Sequence, residues 1–113
     1  MSLDVPTEAI DAIREIARQH EYAIERIVVF GSWATGEGTA TSDVDIVIVS
    51  PDWEGIEFYE RPRAFVIEWP REELPTPDIH PLTPEEFEDR SQTTGEIIRT
   101  AIEDGIVYRP VSA

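Results

Sequence analysis

The sequence predicts a two-layer α/β domain, and three observations carry that prediction. Helical segments with one apolar face alternate with short apolar runs of strand length. A Gly-Ser turn, Gly31 and Ser32, closes the first of those runs. No repeat, linker or low-complexity stretch interrupts the 113 residues, which fit a single domain, 1–113, with a core of moderate size.

Each element has a local reason. Residues 7–20 set Ile10, Ile13, Ile16 and Ala17 at helical spacing, with Glu8 and Asp11 near the positive end of the helix. Residues 24–30 read as the first strand. Ser32 opens a short helix that Gly36 and Gly38 end. The second strand runs from 43 to about 50, where Pro51 removes a donor. Residues 52–75 are ambiguous: Trp53, Ile56, Phe58 and Tyr59 suggest a short helix, whereas 63–69 fits helix or strand. Residues 77–82 read as a third strand. Thr83-Pro84-Glu85-Glu86 is then a capping box with proline at the first helical position, opening a helix through Arg90. A last helix over 94–104 places Ile97, Ile98, Ala101 and Ile102 on one face, and Gly105 stops it.

Composition narrows the function. Nine basic residues, all arginine, face 24 acidic ones, a net charge of −15. Such a surface repels a phosphate backbone, which argues against direct nucleic-acid binding. An acidic chain free of lysine also looks like those of salt-loving archaea, an ordinary cytoplasm being the alternative. There is no cysteine, hence no disulfide or thiolate metal site. No apolar run spans a membrane and the start carries no leader pattern, so a cytoplasmic location is expected.

The chemistry concentrates in residues 30–49, FGSWATGEGTATSDVDIVIV. Alternate residues of a strand face the same way, so Asp43 and Asp45 project together while Val44, Ile46 and Ile48 enter the core. Two ionised carboxylates side by side repel unless a cation lies between them, and hard oxygen ligands suit Mg²⁺ shared with phosphates. Gly31 lets phosphate approach the backbone, and the helix start at Ser32 offers free N–H donors. The plainer alternative makes Asp43 a loop end, Asp45 a solvated strand residue and Gly31 a turn glycine. Against it, the run Ile46 to Val49 is apolar on both faces, so an unpartnered Asp45 there is costly.

The order apolar residue, Gly, Ser, then Asp-apolar-Asp-apolar resembles the signature of the DNA polymerase β-like nucleotidyltransferases, here Phe30, Gly31, Ser32 and Asp43 to Ile46. With residues 78–87, DIHPLTPEEF, the chain is similar to the minimal, stand-alone archaeal type. The resemblance implies an α+β fold with a mixed sheet of three or more strands flanked by helices. It also implies Mg²⁺-dependent transfer of a nucleoside monophosphate, AMP from ATP above all, with release of pyrophosphate. Asp43, Asp45 and a third carboxylate on a neighbouring strand hold the metal, and Gly31 with Ser32 holds the nucleotide.

Asp78 is the choice for the third carboxylate, as metal ligand and as base for the attacking hydroxyl, for which neighbouring negative charge must raise its pKa. Glu68 is its rival, and His80, two residues on from Asp78, is placed to reach a phosphate or to be a partly exposed polar residue. Many relatives carry arginine beside the Gly-Ser turn, where this chain has Trp33, Ala34 and Thr35. Arg61 and Arg63 are the possible substitutes, with a solvated pair to Glu57 or Glu60 as their other reading. Minimal relatives often pair with a helical HEPN-type toxin and attach AMP to its tyrosine, which implies a protein acceptor. The competing reading is a module that neutralises such a partner by docking alone, without catalysis. Trp33, Phe58, Tyr59 and Trp69 are candidates for a docking patch or for ordinary core.

Overall fold

In a computed structural model, residues 4–92 and 97–110 are described. Helix α1 (Val5–Gln19) leads into strand β1 (Arg26–Phe30), the short helix α2 (Ser32–Thr35) and strand β2 (Val44–Val49). Two 3₁₀ turns, Pro51–Trp53 and Phe58–Glu60, precede α3 (Arg63–Glu68), β3 (Pro77–Leu82), α4 (Pro84–Ser91), α5 (Ile97–Asp104) and β4 (Ile106–Tyr108). The sheet order is β3-β2-β1-β4. Strand β1 runs antiparallel to β2 and β4, and β2 runs parallel to β3, so the sheet is mixed as the resemblance implies.

Local chemistry sets the ends. Asp4 caps α1, its carboxylate accepting from the Thr7 amide at 3.2 Å, two residues ahead of the expected start. Gly36, with φ +86, closes α2 in the left-handed conformation. The expected capping box opens α4 with both its hydrogen bonds present. The ambiguous stretch 63–69 is helix α3, and its Phe65 packs with Trp53 in the core. The expected start of the last helix at 94 lies outside the described residues.

Alternation along the strands sorts the core into two halves. Ile27, Val29, Val44, Ile46 and Ile48 pack against α1, Trp53 and Phe65 on one face. Val28, Phe30, Val47, Val49 and Leu82 meet Phe87 of α4 and Ile98 and Ala101 of α5 on the other. Two layers therefore describe each half, since helices cover both faces. The doubly apolar run Ile46 to Val49 follows from this, because both sides of β2 are buried.

Arg61 is neither a solvated ion pair nor a phosphate ligand. It is 8% exposed, its Nε donates to the Ile56 carbonyl at 2.9 Å, and Nη1 donates to the Pro81 carbonyl at 3.2 Å and Glu86 Oε1 at 2.7 Å. Glu86 Oε1 also accepts from the Thr83 amide at 2.9 Å, so one carboxylate serves both the capping box and the buried cation. Burial alone would raise the Glu86 pKa, but the hydrogen bonds from Arg61 and Thr83 outweigh it and lower it. Replacing Arg61 by Met strands the two carbonyls while leaving half-exposed Glu86 within reach of water. Arg61→Met should therefore cost about 2 kcal/mol, less than breaking a fully buried pair. Urea unfolding checks this, the midpoint falling at unchanged slope.

Charge bears on the whole molecule. At a net charge of −15, the melting temperature of the metal-free protein should rise between dilute buffer and about 1 M KCl, where the screening length drops to roughly 3 Å. A flat or falling melting temperature across that range would remove self-repulsion as a significant term.

Candidate active site

Strand directions bring three distant stretches of sequence to one end of the sheet. Because β1 is antiparallel to β2, its last residue Phe30 lies opposite Asp45 near the start of β2. Because β2 is parallel to β3, Asp45 lies beside Asp78 near the start of β3. The turn leaving β1 and the two carboxylates thus converge, although 47 residues separate Gly31 from Asp78 in the chain.

Asp45, Asp78 and His80 share a sheet face, and one ligand atom from each lies within 4.8 Å of the others. Asp45 is half-buried and Asp78 exposed. The Asp45 pKa is raised, first by burial, then by a hydrogen bond with Asp78 and by the charge of Asp78; His80 acts in the opposite sense, and Asp43 adds a smaller raising effect. His80 Nε2 stands 3.6 Å from Asp78 Oδ2, beyond hydrogen-bond length, and is buried without a partner.

Gly31 is fitted to this pair. Its φ of +77 and ψ of −157 belong to a region that glycine alone occupies readily. A Cβ built there would lie 2.3 Å from Asp45 Oδ2, so the missing side chain is what lets the carboxylate rest on the turn. Ser32 opens α2 directly after it, and the first N–H groups of a helix have no partner within it. The loop between α2 and β2 is pinned by Trp33, whose ring N–H donates to the Ser42 carbonyl at 3.0 Å and whose ring fills the space a side chain at Gly38 would need.

The structure brings together Asp45 and Asp78, with Gly31 against Asp45 and Ser32 next in the chain, whereas the strand spacing leads one to expect Asp43 beside Asp45. Asp43 stands exposed just before β2 and outside the 4.8 Å group, though its charge reaches Asp45. Glu68 ends α3 on the opposite face and pairs with His20. It borders a cleft of about 440 Å³ with Tyr22, Trp53 and Arg63, remote from the carboxylate pair. Arg61 joins β3 three residues beyond Asp78, roughly 10 Å along the strand, and is committed to Glu86. His80 belongs to the cluster, and its signal in the sequence is the i, i+2 spacing from Asp78.

Two carboxylates, a further one at the rim and an orphaned buried imidazole nitrogen form a donor set that fits a divalent cation. Without one, the two carboxylates crowd each other, and burial together with Asp78 raises the Asp45 pKa.

Known proteins resemble this chain in sequence and in fold. The profile of the nucleotidyltransferase domain matches residues 10–108. Two proteins of Methanocaldococcus jannaschii, each named "putative protein adenylyltransferase", are 38% and 36% identical to the chain over 61 residues. Those matches take in 49% of this chain and 62% and 54% of the relatives, so the chain matches less than two thirds of either one's length. A solved structure described as a "putative nucleotidyltransferase" from Sulfolobus solfataricus superposes with a TM-score of 0.60 over 92% of this chain and 78% of that one. Its sequence identity is 21%, so the likeness is one of fold.

Proposed function

We propose that this chain, which belongs to the nucleotidyltransferase domain family, moves a nucleoside monophosphate, AMP in the first instance, from a triphosphate to a hydroxyl of a partner protein. The observation that carries the reading is the carboxyl pair of Asp45 and Asp78, seated against a turn that only glycine can form. Asp43, Asp45 and Asp78 would hold the divalent metal, Mg²⁺ being the ion that accompanies cellular triphosphates. When bound, that metal supplies charge stabilisation at the phosphate oxygens and neutralises the crowded carboxylates.

The protein's own part is positioning. Gly31 leaves the backbone bare for the phosphates, and the amide groups and hydroxyl at Ser32 are their donors. Asp45, half-buried against the turn, is a fixed ligand. Asp78 is the exposed member of the pair and so the one an acceptor can meet. Asp78 takes the proton from the acceptor hydroxyl, whose oxygen forms a bond to the α-phosphorus. The bond from that phosphorus to the β-phosphate bridge breaks, and pyrophosphate leaves with the electron pair.

A protein acceptor is favoured because Asp78 is exposed and no second domain among the described residues encloses a small molecule. The acidity of the chain disfavours nucleic acid. A small helical HEPN-type toxin is the first partner to test. No helix among the described residues is long and apolar enough to cross a membrane.

Docking without catalysis has one observation in its favour. With Arg61 committed to Glu86 and stacked over Phe58, the exposed Tyr59, Val66 and Ile67 line one apolar surface that the transfer reaction does not use. By contrast Trp69 is buried and Trp33 packs against the core, so neither serves docking. The two readings separate in one experiment. Purified partner is mixed with the protein, labelled ATP and Mg²⁺ at high salt, and its mass is read. An adenylyl adduct that disappears with Asp43→Ala and Asp45→Ala together supports transfer. Neutralisation of the partner by that double variant, with no adduct from the wild type, supports docking alone.

A further inference from the structure

We infer that His80 is a nitrogen ligand of the metal held by Asp45 and Asp78, and that it makes the site prefer Mn²⁺ over Mg²⁺. The inference rests on the reading of those carboxylates as metal ligands and adds to it a residue and an ion. Three features single out His80. One of its ring nitrogens lies in the 4.8 Å group with the two carboxylates, on the same face of β3 as Asp78, and Nε2 stands 3.6 Å from Asp78 Oδ2. That nitrogen is buried and accepts or donates no hydrogen bond, and at 3.6 Å it is too far from Asp78 Oδ2 to count as its partner. The imidazole is also braced from the side, its ring centre 5.4 Å from that of Phe30 at 53°.

A buried nitrogen in a group with two carboxylates, hydrogen-bonded to neither, is placed for a ligand between them. Mg²⁺ takes oxygen ligands and sheds water reluctantly, so an imidazole adds little to its binding. Imidazole nitrogen suits transition metals, whereas carboxylate, water and phosphate oxygen suit Mg²⁺, Ca²⁺ and Mn²⁺. Mn²⁺ satisfies both halves of the donor set and retains octahedral positions for phosphate oxygens. Zn²⁺ favours four ligands and leaves fewer positions open.

The test uses Mn²⁺ itself as the probe on the intact chain. Pulsed EPR of the wild type with Mn²⁺ should show coupling to ¹⁴N. The coupling should vanish in His80→Gln and persist in His20→Gln. Competition titrations should show Mn²⁺ affinity falling about tenfold in His80→Gln while Mg²⁺ affinity changes less than twofold. Absence of ¹⁴N coupling in the wild type overturns the inference without reference to any variant, and so do equal losses for both ions. Asp45→Asn keeps the two levels apart. If Asp45→Asn removes Mn²⁺ binding and His80→Gln leaves it intact, the nitrogen ligand is wrong and the carboxylate site stands. If Asp45→Asn binds Mn²⁺ as the wild type does, the metal lies elsewhere and both readings fall.

Discussion

Asp45→Asn should lower nucleotide transfer by on the order of 10³-fold and at the same time raise the stability of the metal-free protein at neutral pH. The first effect follows from the loss of a fixed metal ligand, since charge stabilisation of several kcal/mol at about 1.4 kcal/mol per decade gives that factor. The second follows from linkage. The folded-state pKa of Asp45 is raised, by burial and then by Asp78. Between the unfolded and folded pKa values the native state therefore binds more protons than the unfolded one. The contribution of Asp45 to stability is consequently greatest on the acid side and falls as pH rises through its folded pKa. Above the folded pKa the wild type carries the cost of two crowded carboxylates, whereas an amide at residue 45 carries none. The melting temperatures of the two proteins should lie close together in acid and diverge above the ordinary carboxylate range, the variant being the higher. Added divalent metal should close the gap by stabilising the wild type alone. A variant less stable than the wild type at every pH, or one that still gains stability from metal, would show that Asp45 is a packing residue.

Much of this site was legible in the sequence, because its parts obey local rules. A glycine before a helix-opening serine, a carboxylate at strand spacing from apolar neighbours, and the capping box that fixes the end of β3 each depend on a few adjacent residues. Asp78, preferred to Glu68 for its place just before the capping box, lies on a strand beside Asp45, whereas Glu68 ends α3. Pro77 and Pro81 suit only an edge strand or a strand end, and β3 is an edge strand. The misses depend on partners distant in the chain. Strand β4 is three residues long and owes its existence to pairing with β1, which periodicity cannot report. Arg61 looked solvated because its neighbours in sequence are glutamates, whereas its partner Glu86 is 25 residues away. The second helical layer does leave a trace, the doubly apolar run in β2, which signals cover on both faces without saying what supplies it. His80 was visible as a neighbour of Asp78, but its orphaned nitrogen is a property of packing.

Gly31→Ala should reduce transfer by at least about 100-fold while Gly36→Ala leaves it nearly unchanged, although both glycines have positive φ. The two positions separate backbone strain from collision. At Gly36, φ is +86 and ψ is 6, the left-handed region, and nothing lies within 4 Å of a Cβ built there. Alanine at Gly36 incurs only the left-handed penalty, about 1 kcal/mol, and disturbs no side chain. At Gly31 the backbone lies in a region closed to alanine, with strain of about 1–3 kcal/mol, and the new carbon falls 2.3 Å from Asp45 Oδ2. Either the turn or the carboxylate must move. The turn leads into the amides at Ser32 and the carboxylate faces Asp78, so any relief displaces one half of the site from the other, and misplacement by about 1 Å is enough for a 100-fold loss. The melting temperature of Gly31→Ala should also fall by several degrees more than that of Gly36→Ala. Metal affinity is the deciding measurement, because it reports carboxylate placement without requiring an acceptor. If Gly31→Ala binds Mn²⁺ as tightly as the wild type and loses only stability, the contact between the turn and Asp45 supports the fold alone, and phosphate binding has to be sought elsewhere.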